Sequence, residues 1–250
     1  MFVSAIAFIV VFSLVVLIHE FGHFIVARLA GVKVYEFSIG FPFSPRLCTL
    51  YRHRETEFTL RLLPLGGFVS FSQEGHDEGE EFFQVPRWKQ AMIMSSGSLF
   101  NVAFALVIFV PVFMVGKHLQ LGDAAILSVK TVWETLSGTV ALLVQILSGN
   151  GGAESLSGPV GIAVLAGKAA SKGVLHLLFF SGILSMGLGI MNLLPFPALD
   201  GGQLFILLIE SLFRRPLGVR THQAISTAGL VAFMVLALFV TYRDIVRLLA

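Results

Sequence analysis

Charge is scarce in this chain. Asp, Glu, Lys and Arg make up 13% of its 250 residues, against 56% hydrophobic ones, and the mean hydropathy is +0.86. A soluble domain of this length needs more charge to cover its surface, so the composition excludes one and points to a polytopic membrane protein. Cysteine is nearly absent as well. Cys48 is the only one, which excludes an intrachain disulfide, and its place in a loop argues against a cysteine nucleophile. Four segments lack any Asp, Glu, Lys or Arg over a spanning length: Phe2–Ile18, Ala91–Gly116, Val174–Leu199 and Thr221–Tyr242. The first has no basic n-region and no small-residue cleavage site, so it does not read as a cleavable signal peptide. A fifth uncharged stretch, Thr135–Ala153, is broken by Gly138, Gly149, Gly151 and Gly152. Its apolar centre is short, which predicts an interfacial or re-entrant helix rather than a span.

The expected architecture is an α-helical polytopic membrane protein with about four transmembrane helices and a small membrane-associated antiparallel β element after the first. Residues 1–30 form the first helix, 31–96 a β-rich loop on the cytosolic side, and 97–117 the second helix. Residues 118–173 form an extracytoplasmic loop with the interfacial or re-entrant helix, 174–203 the third transmembrane segment, 204–220 a cytosolic loop, and 221–250 the fourth helix. Orientation follows from Lys and Arg. The loop after the first span carries Arg28, Lys33, Arg46, Arg52, Arg54, Arg61, Arg87 and Lys89, and Arg214, Arg215 and Arg220 precede the fourth. This bias puts the N-terminus outside and both loops in the cytosol. The basic residues then read as topogenic and headgroup-contacting, with no nucleic-acid partner.

Within 31–96, Glu57 to Leu62 alternates polar and apolar side chains and Val32 to Ile39 is rich in β-branched and aromatic residues. Pro64, Gly66 and Gly67 punctuate the chain just beyond Leu62. Short antiparallel strands near the membrane face are expected, with an exposed edge that pairs with an extended substrate segment. Gly75 to Glu81 reads as an acidic, solvated tip in which His76 is a weak metal candidate. Phe82 to Lys89 mixes aromatic and basic residues as interfacial anchors do.

The most informative motif is His19-Glu20-Phe21-Gly22-His23, an HExxH pattern at the end of the first apolar run. Residues four apart share a helix face, so both imidazoles can point at one Zn²⁺ with Glu20 beside them as a base. Ionisable residues at the edge of a span are costly, which favours a functional role. Zinc needs a third protein ligand, and the candidates are Cys48, His53, His76, His118, His176, His222 and the acidic residues. Asp200 stands apart because it follows an apolar span in a stretch where Pro195 and Pro197 prevent a regular helix. Such backbone is tolerated at membrane depth only where it lines a cavity or is buried in protein. One carboxylate and one hydroxide would also neutralise Zn²⁺ held by two neutral histidines.

HEFGH, the Gly97-Ser-Leu-Phe-Asn101 element, and the run from Asn192 through Pro195, Pro197, Leu199 and Asp200 to Gly201 correspond in order to three motifs. They are the HExxH, GxxxN and NxxPxPxLDG of the site-2 protease family of intramembrane zinc metalloproteases. The chain resembles that family, and within it the bacterial members that cleave anti-sigma factors. Phe37 to Phe41, Leu63 to Phe68 and Leu156 to Gly161 extend the similarity over nearly the whole chain. The resemblance implies hydrolysis of a peptide bond within or near the transmembrane segment of a single-span membrane protein, such as an anti-sigma factor or a signal-peptide remnant. It implies Zn²⁺ on His19, His23 and Asp200, Glu20 as the catalytic base, and Asn192 and Asn101 positioning the scissile backbone. Pro195 and Pro197 accompany them in the substrate-binding set. The lipid bilayer is the second partner, and the inner (cytoplasmic) membrane the location, with the active site towards the cytosol.

Two departures stand out. The interval Lys117 to Gly173 is too short for the PDZ domain that many relatives carry there, and Gln203 replaces a histidine common among them. Three other classes share parts of the pattern. A transporter also places ionisable residues in broken helices, a silent family member would act as a scaffold, and a membrane hydrolase could act on lipid. The long NxxPxPxLDG element and the retained glutamate favour proteolysis.

Overall fold

The structure, a computed structural model, describes residues 2–41, 44–63, 66–71, 82, 84–152, 157–215 and 217–249. Pro64, the acidic tip with His76, Phe83 and the stretch from Ala153 to Leu156 lie outside the described residues. Helix α1 (Phe2–Leu29) leads into strands β1 (Glu36–Ile39), β2 (Arg46–His53), β3 (Thr56–Arg61) and β4 (Gly67–Ser70). Helices α2 (Arg87–Gly116), α3 (Leu121–Leu147), α4 (Pro159–Ser171), α5 (Val174–Asn192), α6 (Asp200–Phe213) and α7 (Val219–Leu249) come next. Among the described residues five helices, α1, α2, α3, α5 and α7, are long and apolar enough to cross a membrane. Val231, Val235, Leu238 and Phe239 of α7 are exposed, as suits a helix whose solvent is lipid. The fold class read from composition therefore holds, with a small sheet after the first helix.

Two details differ from expectation. The first part of the stretch expected as a short interfacial or re-entrant helix, Thr135 to Leu147, belongs to α3, which starts earlier and runs for 27 residues, about 40 Å at ~1.5 Å per residue. Asp123, Lys130 and Glu134 interrupt the uncharged run without interrupting the helix. Asp123 sits in the first turn, where negative charge is favourable, and Lys130 pairs with Glu134 one turn on at 3.8 Å. The hydroxyls of Ser128, Thr131, Thr135 and Thr139 each donate to the carbonyl four residues back, so the polar side chains are satisfied within the helix itself.

The sheet is the second difference. Its order is β2-β3-β1-β4. The β2–β3 hairpin and the β1–β4 pair are antiparallel, but β1 and β3 run parallel, with Phe37 opposite Phe58. The cause is that the hairpin returns β3 alongside β1, and the partly buried Glu36 on β1 pairs with Arg61 on β3 at 3.1 Å. The sheet is therefore mixed.

The chain divides into two compact units. One comprises Met1–Val11, Val102–Ile190 and Leu230–Ala250, with a core of Phe109, Phe113, Met186 and Ile190 around Ala105 and Ala124. The other comprises Phe12–Asn101 and Met191–Gly229. In it Phe24 of α1 packs edge-on against Phe37 and Phe58 of the sheet, with centroids 5.4 and 5.7 Å away. That contact seats the sheet on the helix turn that carries His23.

Candidate active site

All residues of the HExxH pattern and Asp200 belong to the second unit. His19 and His23 lie one turn apart on α1, and their Nε2 atoms face each other at 3.2 Å. Asp200 Oδ2 lies 2.9 Å from His19 Nε2 and 3.2 Å from His23 Nε2. The histidines are only 5% and 6% exposed, while Asp200 is half-buried. Among the described residues, these three form the group of His, Cys, Asp and Glu whose donor atoms converge as a metal requires. Cys48, His53, His118, His176 and His222 do not join it.

Local chemistry explains how Asp200 arrives. Helix α5 ends at Asn192, where Pro195 and Pro197 forbid its continuation. The chain turns through hydrogen bonds from Phe196 N to Leu194 O at 2.7 Å and from Leu199 N to Phe196 O at 2.9 Å. Helix α6 then opens with Asp200 in its first turn, where the helix dipole favours a carboxylate. Gly201 and Gly202 lie against the backbone of Leu193, Leu194 and Phe196 with no room for a Cβ. The double glycine therefore lets the segment fold back on itself and deliver the carboxylate.

Helix α2 closes the other side. His23 Nδ1 donates to Ile93 O at 2.7 Å, and the amide of Asn101 lies 3.3 Å from His19 Nδ1. Between them Gly97 faces both rings, and a Cβ there would lie 2.5 Å from His23 Nε2 and 2.7 Å from His19 Nε2. Asn192 is on the opposite side of His19, its Nδ2 3.4 Å from Nε2. Asn192 and Pro197 are half-buried and Pro195 is exposed, whereas Asn101 is fully buried.

Glu20 is half-buried and interacts electrostatically with His19, His23 and Asp200, while the backbone of Val69 hydrogen-bonds its carboxyl. Gly67, also on β4, lies so close that a Cβ would touch Glu20 Cγ at 3.5 Å. β4 is an edge strand, so one edge of the sheet borders the site. Neither Ile93 nor Val69 is singled out by sequence, because each acts through its backbone. The Gly66-Gly67 pair was the available signal for a close approach of β4.

The donor set fits zinc. A tetrahedral site with bonds of ~2.0–2.1 Å has donor-to-donor edges of about 3.3 Å, close to the 2.9 and 3.2 Å separations observed. Three protein donors, rather than four, is the count of a catalytic zinc.

Buried metal-type donors at the end of an apolar helix, with a glutamate beside them, define a membrane-embedded metallopeptidase. Residues 7–236 match peptidase family M50, and the chain belongs to that family of intramembrane zinc metalloproteases. It is 29% identical to a Clostridium perfringens protein named as a zinc metalloprotease, over 94% of this chain and 96% of the relative. It is 24% identical to the zinc metalloprotease RasP of Geobacillus kaustophilus, over 97% of each. The first alignment runs over 325 positions, more than the 250 residues of this chain, so that relative carries residues with no counterpart here.

Proposed function

We propose that this chain hydrolyses a peptide bond within or near the transmembrane segment of a single-span membrane protein, at a zinc held by His19, His23 and Asp200. The observation that carries this is the convergence of donor atoms from two buried histidines and the half-buried Asp200 beside Glu20. When bound, the metal supplies Lewis acidity towards water and the scissile carbonyl. Glu20 takes a proton from the attacking water and passes it to the leaving amine nitrogen. Burial of the two histidines excludes bulk water from the donor side, which strengthens each charge interaction there.

Asn192, on the half-exposed side of His19, is the residue that meets the scissile backbone, with Pro195 and Pro197 keeping the adjoining segment out of a helix and in the turn beside it. The substrate adds to the outer edge of β4, because that edge lies beside Glu20 and an extended strand exposes the peptide bond that a helix hides. An anti-sigma factor or a signal-peptide remnant fits this description of the substrate. The interval between α2 and α5 is too short for a PDZ domain of typical size, and α3 and α4 account for most of it, so no such domain there filters substrates by size.

The active site lies towards the cytosolic side of the inner membrane, in keeping with the basic loops flanking α1 and α7. Because Asp200 meets His19 and His23, the chain between them crosses the bilayer an even number of times. α2 and α5 supply two crossings, so α3 and α4 together return the chain to the side on which α2 left it. α4, with 13 residues or about 20 Å, is too short to span alone.

The test is cleavage of a generic single-span substrate by the purified protein in detergent, comparing wild type with Glu20→Gln at verified zinc stoichiometry. Wild type should cut within the span, and the variant should hold zinc but cut about 10²–10⁴-fold more slowly. Equal rates would sink the mechanism, and zinc-loaded wild type that cuts nothing would favour a silent scaffold.

A further inference from the structure

Helices α1 and α2 run antiparallel through the site and meet with matched periodicity. His19 and His23 lie four residues apart on α1, and Ile93, Gly97 and Asn101 lie at the same spacing on one face of α2. His23 Nδ1 faces the Ile93 carbonyl at 2.7 Å. A carbonyl only accepts, so Nδ1 of His23 carries a proton, and in the neutral, metal-ligating ring that leaves Nε2 bare towards Asp200 and His19.

His19 has the same requirement. Its Nε2 is the atom that meets Asp200 Oδ2 at 2.9 Å, and a neutral imidazole can offer that nitrogen to a metal only if the proton sits on Nδ1. The group facing Nδ1 is the side-chain amide of Asn101, at 3.3 Å. Amide oxygen and nitrogen exchange places by a half-turn of the terminal group, and the hydrogen-bond network decides between them. With Nδ1 carrying the proton, the facing atom must be Oδ1. Asn101 is fully buried, on the side of the ring away from Asp200, whereas the half-buried Asn192 approaches Nε2. The two asparagines therefore address different nitrogens of one ring.

The geometry points to Asn101 as a positioning residue: its Oδ1 accepts the Nδ1 proton of His19 and locks the tautomer that presents Nε2 to the metal, as the Ile93 carbonyl does for His23. This inference rests on the zinc reading above. Partners of this kind orient ligating histidines in metal sites generally, and their loss lowers affinity about 10- to 100-fold.

Zinc affinity of the full-length protein in detergent, measured by competition with a chromophoric chelator, tests it without reference to cleavage. Asn101→Leu keeps the volume and removes the acceptor, and Asn101→Asp keeps an acceptor in place. Asn101→Leu should bind zinc about 10- to 100-fold more weakly, and Asn101→Asp should hold it within a few-fold of wild type or more tightly. Rescue by Asn101→Asp is an outcome that a purely structural role would not produce. Wild-type affinity in Asn101→Leu, or equal weakening in both variants, would overturn the assignment. A wild type that binds no zinc, or binds it equally well after His19→Ala, would instead overturn the zinc reading itself.

Discussion

Replacing Gly97 with alanine should weaken the site's hold on its metal while leaving the chain folded. The added methyl would lie 2.5 Å from His23 Nε2, 2.6 Å from His19 Cε1 and 2.7 Å from His19 Nε2. Unstrained contacts between such atoms are about 3.5 Å, so both rings must retreat by ~0.8–1 Å, or α2 must move off α1. Metal sites tolerate ligand displacements of only about ±0.2 Å. Overpacking of this kind costs about 1–3 kcal/mol, which at ~1.4 kcal/mol per tenfold corresponds to a zinc affinity about 5- to 150-fold weaker. Chelator competition measures that change, and the melting temperature of the zinc-free protein reports whether the fold survives. A Gly97→Ala protein that binds zinc as tightly as wild type would refute the close approach of α2 to the two rings.

Other contacts carry outcomes of their own. Chelation should abolish cleavage and added zinc should restore it, whereas cleavage indifferent to chelators would remove the metal from the mechanism. Asp244, buried on α7, accepts the Gly161 amide at 2.7 Å. Asp244→Ala should therefore cost about 1.5–3 kcal/mol of stability in detergent unfolding, and Asp244→Asn less, because its amide oxygen still accepts; equal losses would exclude the hydrogen bond as the cause. In the β2–β3 hairpin, the hydrogen bond from Arg46 holds the Glu57 carboxyl below its ordinary range. The pair's stabilisation is thus complete above the ordinary glutamate value of ~4.3 and is lost as pH falls through the lower folded value. Arg46→Ala should raise the Glu57 midpoint tracked by carboxyl NMR, and an unmoved midpoint would exonerate Arg46. Gly229 leaves 2.6 Å between a prospective Cβ and that of Pro197, so Gly229→Ala should reduce cleavage more than thermal stability; the reverse ranking would count against a role for that segment in catalysis.

Much of this architecture can be read in the chain because the bilayer imposes strong constraints. An uncharged run of spanning length has few alternatives to a helix, and a pattern of His19, Glu20 and His23 on such a helix has few uses. Asp200 is legible for a different reason: two prolines signal broken backbone at a depth where broken backbone must be buried. The length of α3 was not legible, since Asp123, Lys130 and Glu134 end an uncharged run but are compatible with a helix. The parallel pairing of β1 with β3 depends on where the hairpin lands, which alternation along a strand does not encode. Asn101 announces that it needs a partner, but only the packing of α2 against α1 shows that the partner is a histidine nitrogen. Ile93 and Val69 act through backbone atoms that every residue carries, so their side chains give no sign of it.

The distance along the chain between His19 and Asp200 has a consequence for biosynthesis. They stand 181 residues apart, and at ~5–20 residues per second the ribosome needs about 10–35 s to travel from one to the other. Throughout that interval the growing chain presents two histidines without their carboxylate. On the proposed mechanism the site is complete only when α5 and the proline-broken segment are in place, so membrane insertion itself keeps the newborn chain silent until then.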